Sequence, residues 1–531
     1  MRITRHFATV GKRRVHYLRA GSGPALALLH ACPVSAKVMI PLMPVFGEKF
    51  TCLAFDMPGF GLSDKLAQPK PSIEDFADAL AETLDALGIE QVSTYGRHTG
   101  ASIAVVFAER HPKRCAMALA DGYAVFAKRY SDEELDRYLE PLVPVWDGTH
   151  LLHLWARYRD QHVFWPWNNQ SAAGRSDADV PDVDFLHRGV VEMLEAGDDY
   201  RIGYAAPFRH RALDVIPNLK VPACFGNRPG DSMWRTRALY PASAWQEAIP
   251  REHGAATLRE REILQMHPPR GTPPPAPQAT PLPGRTTINY VDGMLVRSAN
   301  LSPCPTLVVH HAPGSSFLYD DLVLALGNAL AADLPGHGES DPLPGNPQSV
   351  EAWTSSMERL LDRMNIHELR VYGHNGGAAV AVELAHRLGS RVRGVVLDAP
   401  AFVPDAQLAS RYAPSVQPAW DGSHWLRAWH HIRDSELWWP WFERKHQNVR
   451  KTARIDPQAL TIPVREAMKQ PASYEPAWQA ALSYDWRKRL AALPNPLTIA
   501  APEDVFAHLM PAKAVEDNAA SRARAIKEWM E

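Results

Sequence analysis

Two short stretches constrain the fold more than any other feature of the chain. Tyr95–Gly100 reads Tyr-Gly-Arg-His-Thr-Gly, and Tyr372–Gly377, 277 positions further on, reads Tyr-Gly-His-Asn-Gly-Gly. Each follows a run suited to a β-strand (Val92 to Tyr95; Leu369 to Tyr372) and precedes an alanine-rich run suited to a helix (Ala101 to Ala108; Ala378 to Ala385). A strand that becomes a helix over so few residues puts its apex in a strained conformation. Small residues must flank that apex, because a neighbouring Cβ would collide with the facing backbone. The apices are His98 and Asn375.

The chain before the first of these bends alternates strand and helix signals. Phe7–Val10 and Arg14–Leu18 read as a hairpin around Gly11-Lys12, Ala25–His30 as a buried strand, and Thr51–Phe55 as another. Ser72 is placed to cap a helix whose apolar residues Ile73, Phe76, Leu80, Leu84 and Leu87 recur at three- and four-residue steps, and Gly88 ends it. Cys115–Ala120 and Val221–Phe225 continue the strands. Such alternation predicts a mostly parallel sheet covered on both faces. Between the last two strands, over about 124–213, the texture turns Trp-rich, charged and helical, which reads as an inserted lid.

The same order then returns. Asp56 and Asp333, and Pro58 and Pro335, repeat at the 277-residue offset of the two bends. Trp146-Asp147-Gly148-Thr149-His150 returns as Trp420-Asp421-Gly422-Ser423-His424, and Trp165-Pro166-Trp167 as Trp439-Pro440-Trp441. An offset that nearly holds across turn, bend and lid indicates a tandem duplication. The proline-rich run 267–284 can form neither a helix nor a central strand, so it reads as an extended spacer. The expected domains are therefore 1–266 and 285–531, the second with a lid at about 401–487.

At 531 residues the chain exceeds one hydrophobic core, which agrees with two domains. A net charge of -2 gives no reason to expect nucleic acid as a partner, and no apolar run reaches membrane-spanning length. Five scattered cysteines without paired metal-type spacing, and an N-terminus lacking a signal-like apolar core, suit a cytoplasmic protein.

The His30-Ala31 and His310-His311 turns, the Asp-x-Pro-Gly-x-Gly-x-Ser segments and the two bends together resemble the α/β-hydrolase fold, over nearly the whole chain apart from the spacer. The resemblance implies an α/β class of two tandem domains, each a mostly parallel, doubly wound sheet with a helical lid. It also makes each bend the place of a nucleophile, served by a histidine, an acid that orients it, and backbone amides for an oxyanion. Carried onto this chain, the amides come from Cys32 and Thr99, the acid is Asp231 with Asp121 as the alternative, and the histidine is His253. At the bend itself stands His98 rather than a serine. His98 is expected to act as nucleophile or base, with His253 as its acid partner across a cavity. In the second half Asn375 and Asp517 replace the reacting residues while Asp504 survives, so that half is expected to be non-catalytic.

These residues imply a cofactor-free hydrolase of an ester, thioester or related carbonyl bond, or proton transfer next to a carbonyl, acting on an apolar or aromatic small molecule. The competing expectation is a pseudo-hydrolase that binds a small apolar ligand, with its two halves packed together. No metal is expected, because neither Cys-x-x-Cys nor His-Glu-x-x-His occurs. The lid tryptophans Trp146, Trp155, Trp165 and Trp167, with Trp420, Trp429, Trp439 and Trp441, either line a pocket or form the lids' own cores.

Overall fold

The computed structural model describes residues 1–126, 128–403, 405–450, 453–500 and 512–530. It divides into two compact units, one of Met1–Leu142 with His153–Thr280 and one of Val143–Leu152 with Pro281–Glu531. In the first, eight strands form one sheet: β1 (Thr4–Val10), β2 (Arg13–Gly21), β3 (Ala25–Leu29), β4 (Thr51–Phe55), β5 (Val92–Arg97), β6 (Cys115–Asp121), β7 (Ala223–Asn227) and β8 (Trp245–Ala248). Their order is β1-β2-β4-β3-β5-β6-β7-β8. The hairpin β1–β2 and the β2–β4 pair are antiparallel, and every pairing from β4 onward is parallel. Every residue of β3 and β4 is buried, as expected of parallel strands covered on both faces.

The second unit repeats this plan with β9 (Thr287–Val291), β10 (Met294–Ala299), β11 (Thr306–Val309), β12 (Ala329–Ala332), β13 (Leu369–His374), β14 (Val392–Asp398), β15 (Pro496–Ala500) and β16 (Ala512–Ala514). Read from the hairpin, the order β9-β10-β12-β11-β13-β14-β15-β16 has the same topology. Helices fill the interval between β6 and β7, among them Asp132–Tyr138 and Val183–Ala196. Ser423–Leu437, Pro457–Met468 and Pro471–Ser483 fill the one between β14 and β15.

Local chemistry accounts for the repeated motifs. The helix Ile73–Ala86 begins where expected, with Ser72 and Asp75 forming a capping box. In the Asp-x-Pro-Gly-x-Gly-x-Ser turns the aspartate works as a backbone clasp. Asp56 accepts the N–H groups of Ala36 (2.8 Å) and Leu62 (2.9 Å), and Asp333 those of Ser316 (2.7 Å) and Glu339 (2.8 Å). The clasp requires Gly61 and Gly338, where a Cβ would lie 2.2 Å from the carboxylate. His30 and His310 are also turn locks. Nδ1 of each faces the carbonyl of the next residue, and Nε2 accepts the N–H of Met57 or Leu334, both at 2.9 Å.

The two bends are as sharp as their sequences predict. His98 has φ 49 and Asn375 φ 47, both in the left-handed region. Each apex is tied to the end of the neighbouring strand, His98 N–H donating to Asp121 O at 3.0 Å and Asn375 N–H to Asp398 O at 2.8 Å. A Cβ on Gly100 would sit 2.1 Å from Leu29 O, and one on Gly96 2.1 Å from Gly100 O. Backbone cannot yield at such distances. Gly100→Ala is therefore expected to lower stability by about 3 kcal/mol or more, measured by denaturant unfolding. Gly11→Ala, where a Cβ meets nothing within 4 Å but φ is 60, should cost only about 1 kcal/mol.

Candidate active site

The first bend sets its imidazole beyond the carboxyl end of β5, just ahead of the helix Thr99–Arg110. A non-glycine residue in this backbone conformation carries strain of about 1–3 kcal/mol, and strain of this kind is held at sites where surrounding structure over-determines the backbone. Asp231 follows β7 and caps the turn Ser232–Leu239. Its two oxygens have separate tasks: Oδ1 accepts Met233 N–H at 2.7 Å, and Oδ2 lies 3.2 Å from His98 Nε2. Gly122, immediately after β6, makes this pairing possible. With φ +69, it would place a Cβ 3.2 Å from His98 Cε1, 3.3 Å from Nδ1 and 3.6 Å from Asp231 Oδ1.

Burial works against charge on His98, but the Asp231 carboxylate outweighs it through its charge and its hydrogen bond, so the imidazole pKa lies above its ordinary value. Burial would by itself raise the Asp231 pKa. The charge of His98, its hydrogen bond and the Met233 N–H together hold it below the carboxylate range instead.

Beneath the pair lies a second set of charges that is already satisfied. Asp121 receives Arg97 Nε at 3.1 Å and Arg228 Nη2 at 3.0 Å; Arg228 also reaches Glu260 at 2.6 Å, and the Tyr95 hydroxyl lies 3.3 Å from each carboxylate. With two arginines on it, Asp121 is committed to structure. Of the two acids the sequence offered, Asp231 is the one against His98. Burial, then the charge of Asp121, raises the Glu260 pKa against the pull of Arg228 and Arg97.

Cys32 and Thr99 are brought together, the Cys32 thiol being hydrogen-bonded to the Thr99 side chain. Burial pushes that thiol up to about 12, so it stays protonated. Thr99 is the first residue of its helix, where backbone N–H groups have no intrahelical acceptor.

The expected second imidazole is elsewhere. His253 is exposed at the first residue of the helix His253–Gln265 and, among the described residues, shares no hydrogen bond with His98 or Asp231. The cause is the helix cap: Glu252 accepts the N–H groups of Gly254 (2.8 Å) and Ala255 (2.6 Å), which fixes His253 on an open first turn. Burial and the charges of Arg228 and Arg97 lower its pKa. The imidazole that does feel His98 is His162, in the lid. Its pKa falls to about 4 through burial and then the charges of His98 and Arg97, and its Nε2 is buried without a partner. Its ring packs edge-on against Tyr158 and Phe185, with centroids 5.2 and 5.7 Å away. Only a three-dimensional path joins residues 98 and 162, and no motif in the sequence marks it.

Of the lid tryptophans, Trp146 and Trp420 are exposed, while others sit in the cores. Trp155, Trp425 and Trp429 are wholly buried, and Trp167 and Trp441 donate to backbone carbonyls of Tyr138 (2.8 Å) and Tyr412 (3.0 Å), as core residues do. Trp165 instead stacks with Phe208 and meets Tyr138 edge-on.

In the second half Asn375 occupies the apex, and among the described residues no carboxylate is hydrogen-bonded to its side chain. Asp517 pairs with Arg454 (2.7 Å) and Arg522 (2.6 Å), and Arg522 with Asp398 (2.6 Å), so this acid belongs to an ion-pair chain. Asp504 lies outside the described residues.

A family model described as alpha/beta hydrolase fold matches residues 24–192, and one described as serine aminopeptidase, S33, matches residues 307–459. Among curated proteins, a soluble epoxide hydrolase of Corynebacterium sp. (strain C12) is 36% identical over 108 residues, 20% of this chain and 37% of that protein. Haloalkane dehalogenase 2 of Mycobacterium tuberculosis (strain H37Rv) is 29% identical over 101 residues, 19% of this chain and 35% of that protein. The chain thus spans little more than a third of the length of these relatives. A solved E-2-(acetamidomethylene)succinate hydrolase is 16% identical, with a TM-score of 0.37, covering 50% of this chain and 98% of its own.

The ion pair has a defined pH window. The raised His98 pKa contributes stability below about pH 6.5 that is lost as pH rises through its folded value; the lowered Asp231 pKa contributes above about pH 4 and is lost as pH falls through its folded value. The stability gap between the protein and its Asp231→Asn variant should therefore be widest between those limits. NMR titration of His98 in the variant should show a pKa below the ordinary imidazole value, since burial and the charge of Arg97 are then opposed only by the charge of Asp121.

Proposed function

Because the chain belongs to the α/β-hydrolase superfamily, we propose that its first half hydrolyses an ester, thioester or related carbonyl bond, with His98 as general base and Asp231 as its orienting acid. The observation that carries this reading is the His98–Asp231 pair at the tip of the bend. Asp231 takes up Nε2–H, which leaves the Nδ1 lone pair as the proton acceptor. A water molecule gives its proton to Nδ1 while its oxygen bonds to the carbonyl carbon. The resulting oxyanion is held by the backbone N–H groups of Thr99 and Cys32. Collapse breaks the bond to the leaving alkoxide or thiolate, which takes the proton back from Nδ1.

A base whose pKa is raised above the ordinary imidazole value takes up the proton of water more readily. Direct attack by the imidazole, and removal of a proton next to a carbonyl, use the same lone pair.

The test is turnover on a panel of p-nitrophenyl esters and an acyl thioester, extended to an epoxide and a haloalkane by the names of the relatives. His98→Ala and Asp231→Asn should each lower kcat/KM by about 100-fold or more, whereas His253→Ala should stay within about twofold. In the intact protein kcat/KM should rise with pH through the His98 pKa. Equal turnover in His98→Ala and the intact protein rejects the reading in favour of a ligand-binding pseudo-hydrolase.

A further inference from the structure

Each lid is fastened to the turn beneath it by one carboxyl group. In the first half Glu192, on the lid helix Val183–Ala196, is buried, and its Oε2 accepts the Ser35 N–H at 2.5 Å. Ser35 ends the turn that starts at His30 and carries Cys32, and it caps the short helix Ala36–Met39. The offset that relates Trp146 to Trp420 also relates Glu192 to Glu466. Glu466 lies buried on Pro457–Met468 and accepts the Ser315 hydroxyl at 2.5 Å.

What surrounds the two carboxyls differs. Glu466 pairs with Arg465 at 2.7 Å and Lys469 at 3.2 Å, and Lys469 also reaches Glu339 at 3.4 Å. At the matching positions the first lid has Val191 and Glu195. Among the described residues Glu192 makes no ion pair. The charges that act on it are those of Lys37, from the helix Ala36–Met39, and of Glu195, one turn along its own helix. Tyr158 packs against the same helix, where a Cβ on Gly189 would lie 2.2 Å from its hydroxyl, and it stays neutral because burial raises its pKa.

A carboxylate taken out of water without a paired cation is strongly penalised. Burial, opposed by Lys37 and reinforced by Glu195, pushes Glu192 up to about 7. Against burial of the same kind, Lys469 and Arg465 hold Glu466 down at about 2. Glu466 is therefore an anion throughout the range in which Glu192 gains and loses its proton.

We propose that Glu192 is a proton-operated latch of the first lid: protonated, it holds the helix Val183–Ala196 on the turn that carries Cys32; ionised, it gives its proton to water and releases that helix. The second lid stays shut on the ion pairs of Glu466. A closed first lid keeps the Glu192 proton up to about pH 7, and an opened, hydrated one only to about 4.5. Opening therefore grows as pH rises between those values and levels off above them. The latch stands whether or not His98 hydrolyses anything.

The experiment is hydrogen–deuterium exchange of the full chain at pH 5 and pH 8, read by mass spectrometry of peptides and corrected for the intrinsic rise of amide exchange with pH. Peptides from Val183–Ala196 should lose protection about tenfold or more at pH 8, while those from Pro457–Met468 should change by less than about twofold. Glu192→Gln keeps an oxygen for the Ser35 N–H but cannot ionise, so it should bring the first lid's change below about twofold. Glu195→Lys, which puts a cation at the position matching Lys469, should cut it to about threefold or less, and serves as the independent variant if Glu192→Gln does not fold. Equal loss in both lids, no loss in the intact protein, or an unaltered loss in a folded variant each overturns the proposal. Turnover is not measured in this experiment, so its failure and failure of the hydrolase reading are distinguishable.

Discussion

The backbone at residue 98 is the constraint on which the first half's site depends. A left-handed apex between a buried strand and a buried helix exists only because Gly96 and Gly100 give up their side chains to neighbouring carbonyls and because the His98 N–H is tied to Asp121 O. Once that apex is fixed, its side chain has little freedom, and Gly122 leaves just enough space for the imidazole to reach Asp231. The ion pair is thus the end of a chain of backbone contacts. Asp121 spends its oxygens on Arg97 and Arg228, though its charge and that of Arg97 still reach His98.

Much of this architecture was legible in the sequence because backbone requirements leave residue signatures. Alternation of apolar runs gave the strands, Ser72 gave a helix start, and small residues around His98 and Asn375 gave the bends, since each reports a local steric demand. The family pattern marked Asp231 as the acid but assigned it to the base histidine, expected at His253; its pairing with His98, and the choice against Asp121, needed the three-dimensional positions. His253 was misleading for a physical reason. A histidine beside Glu252 in a helix start looks like a site residue, yet the carboxylate serves the helix amides and leaves the imidazole outside. His162 left no trace in the sequence, because its nearness to His98 depends on how the lid folds back.

The duplication shows which parts of the plan are structural. The aspartate clasps, the histidine turn locks, the tyrosine and aspartate at the ends of the central strands, and the indole-to-carbonyl bonds of Trp167 and Trp441 occur in both halves. Features that persist where the apex is His98 and equally where it is Asn375 cannot be there for the chemistry of either. The differences at the two apices include Arg97 against His374, His98 against Asn375, and Gly122 against Ala399, each pair 277 residues apart.

Those three exchanges act together. With Arg97, Asp121 is anchored from its own bend; with His374 at that place, Asp398 is anchored by Arg522 from the last helix, and the imidazole turns to Tyr319. With Gly122 there is room beside the apex for an imidazole paired to a carboxylate. At the matching position Ala399 has a Cβ and φ 44, and the apex is a shorter, neutral carboxamide. The first bend therefore holds a titrating ion pair, while the apex of the second carries a neutral carboxamide. A carboxamide cannot be deprotonated near neutral pH. The proton transfer proposed for the first half thus has no matching imidazole at the apex of the second.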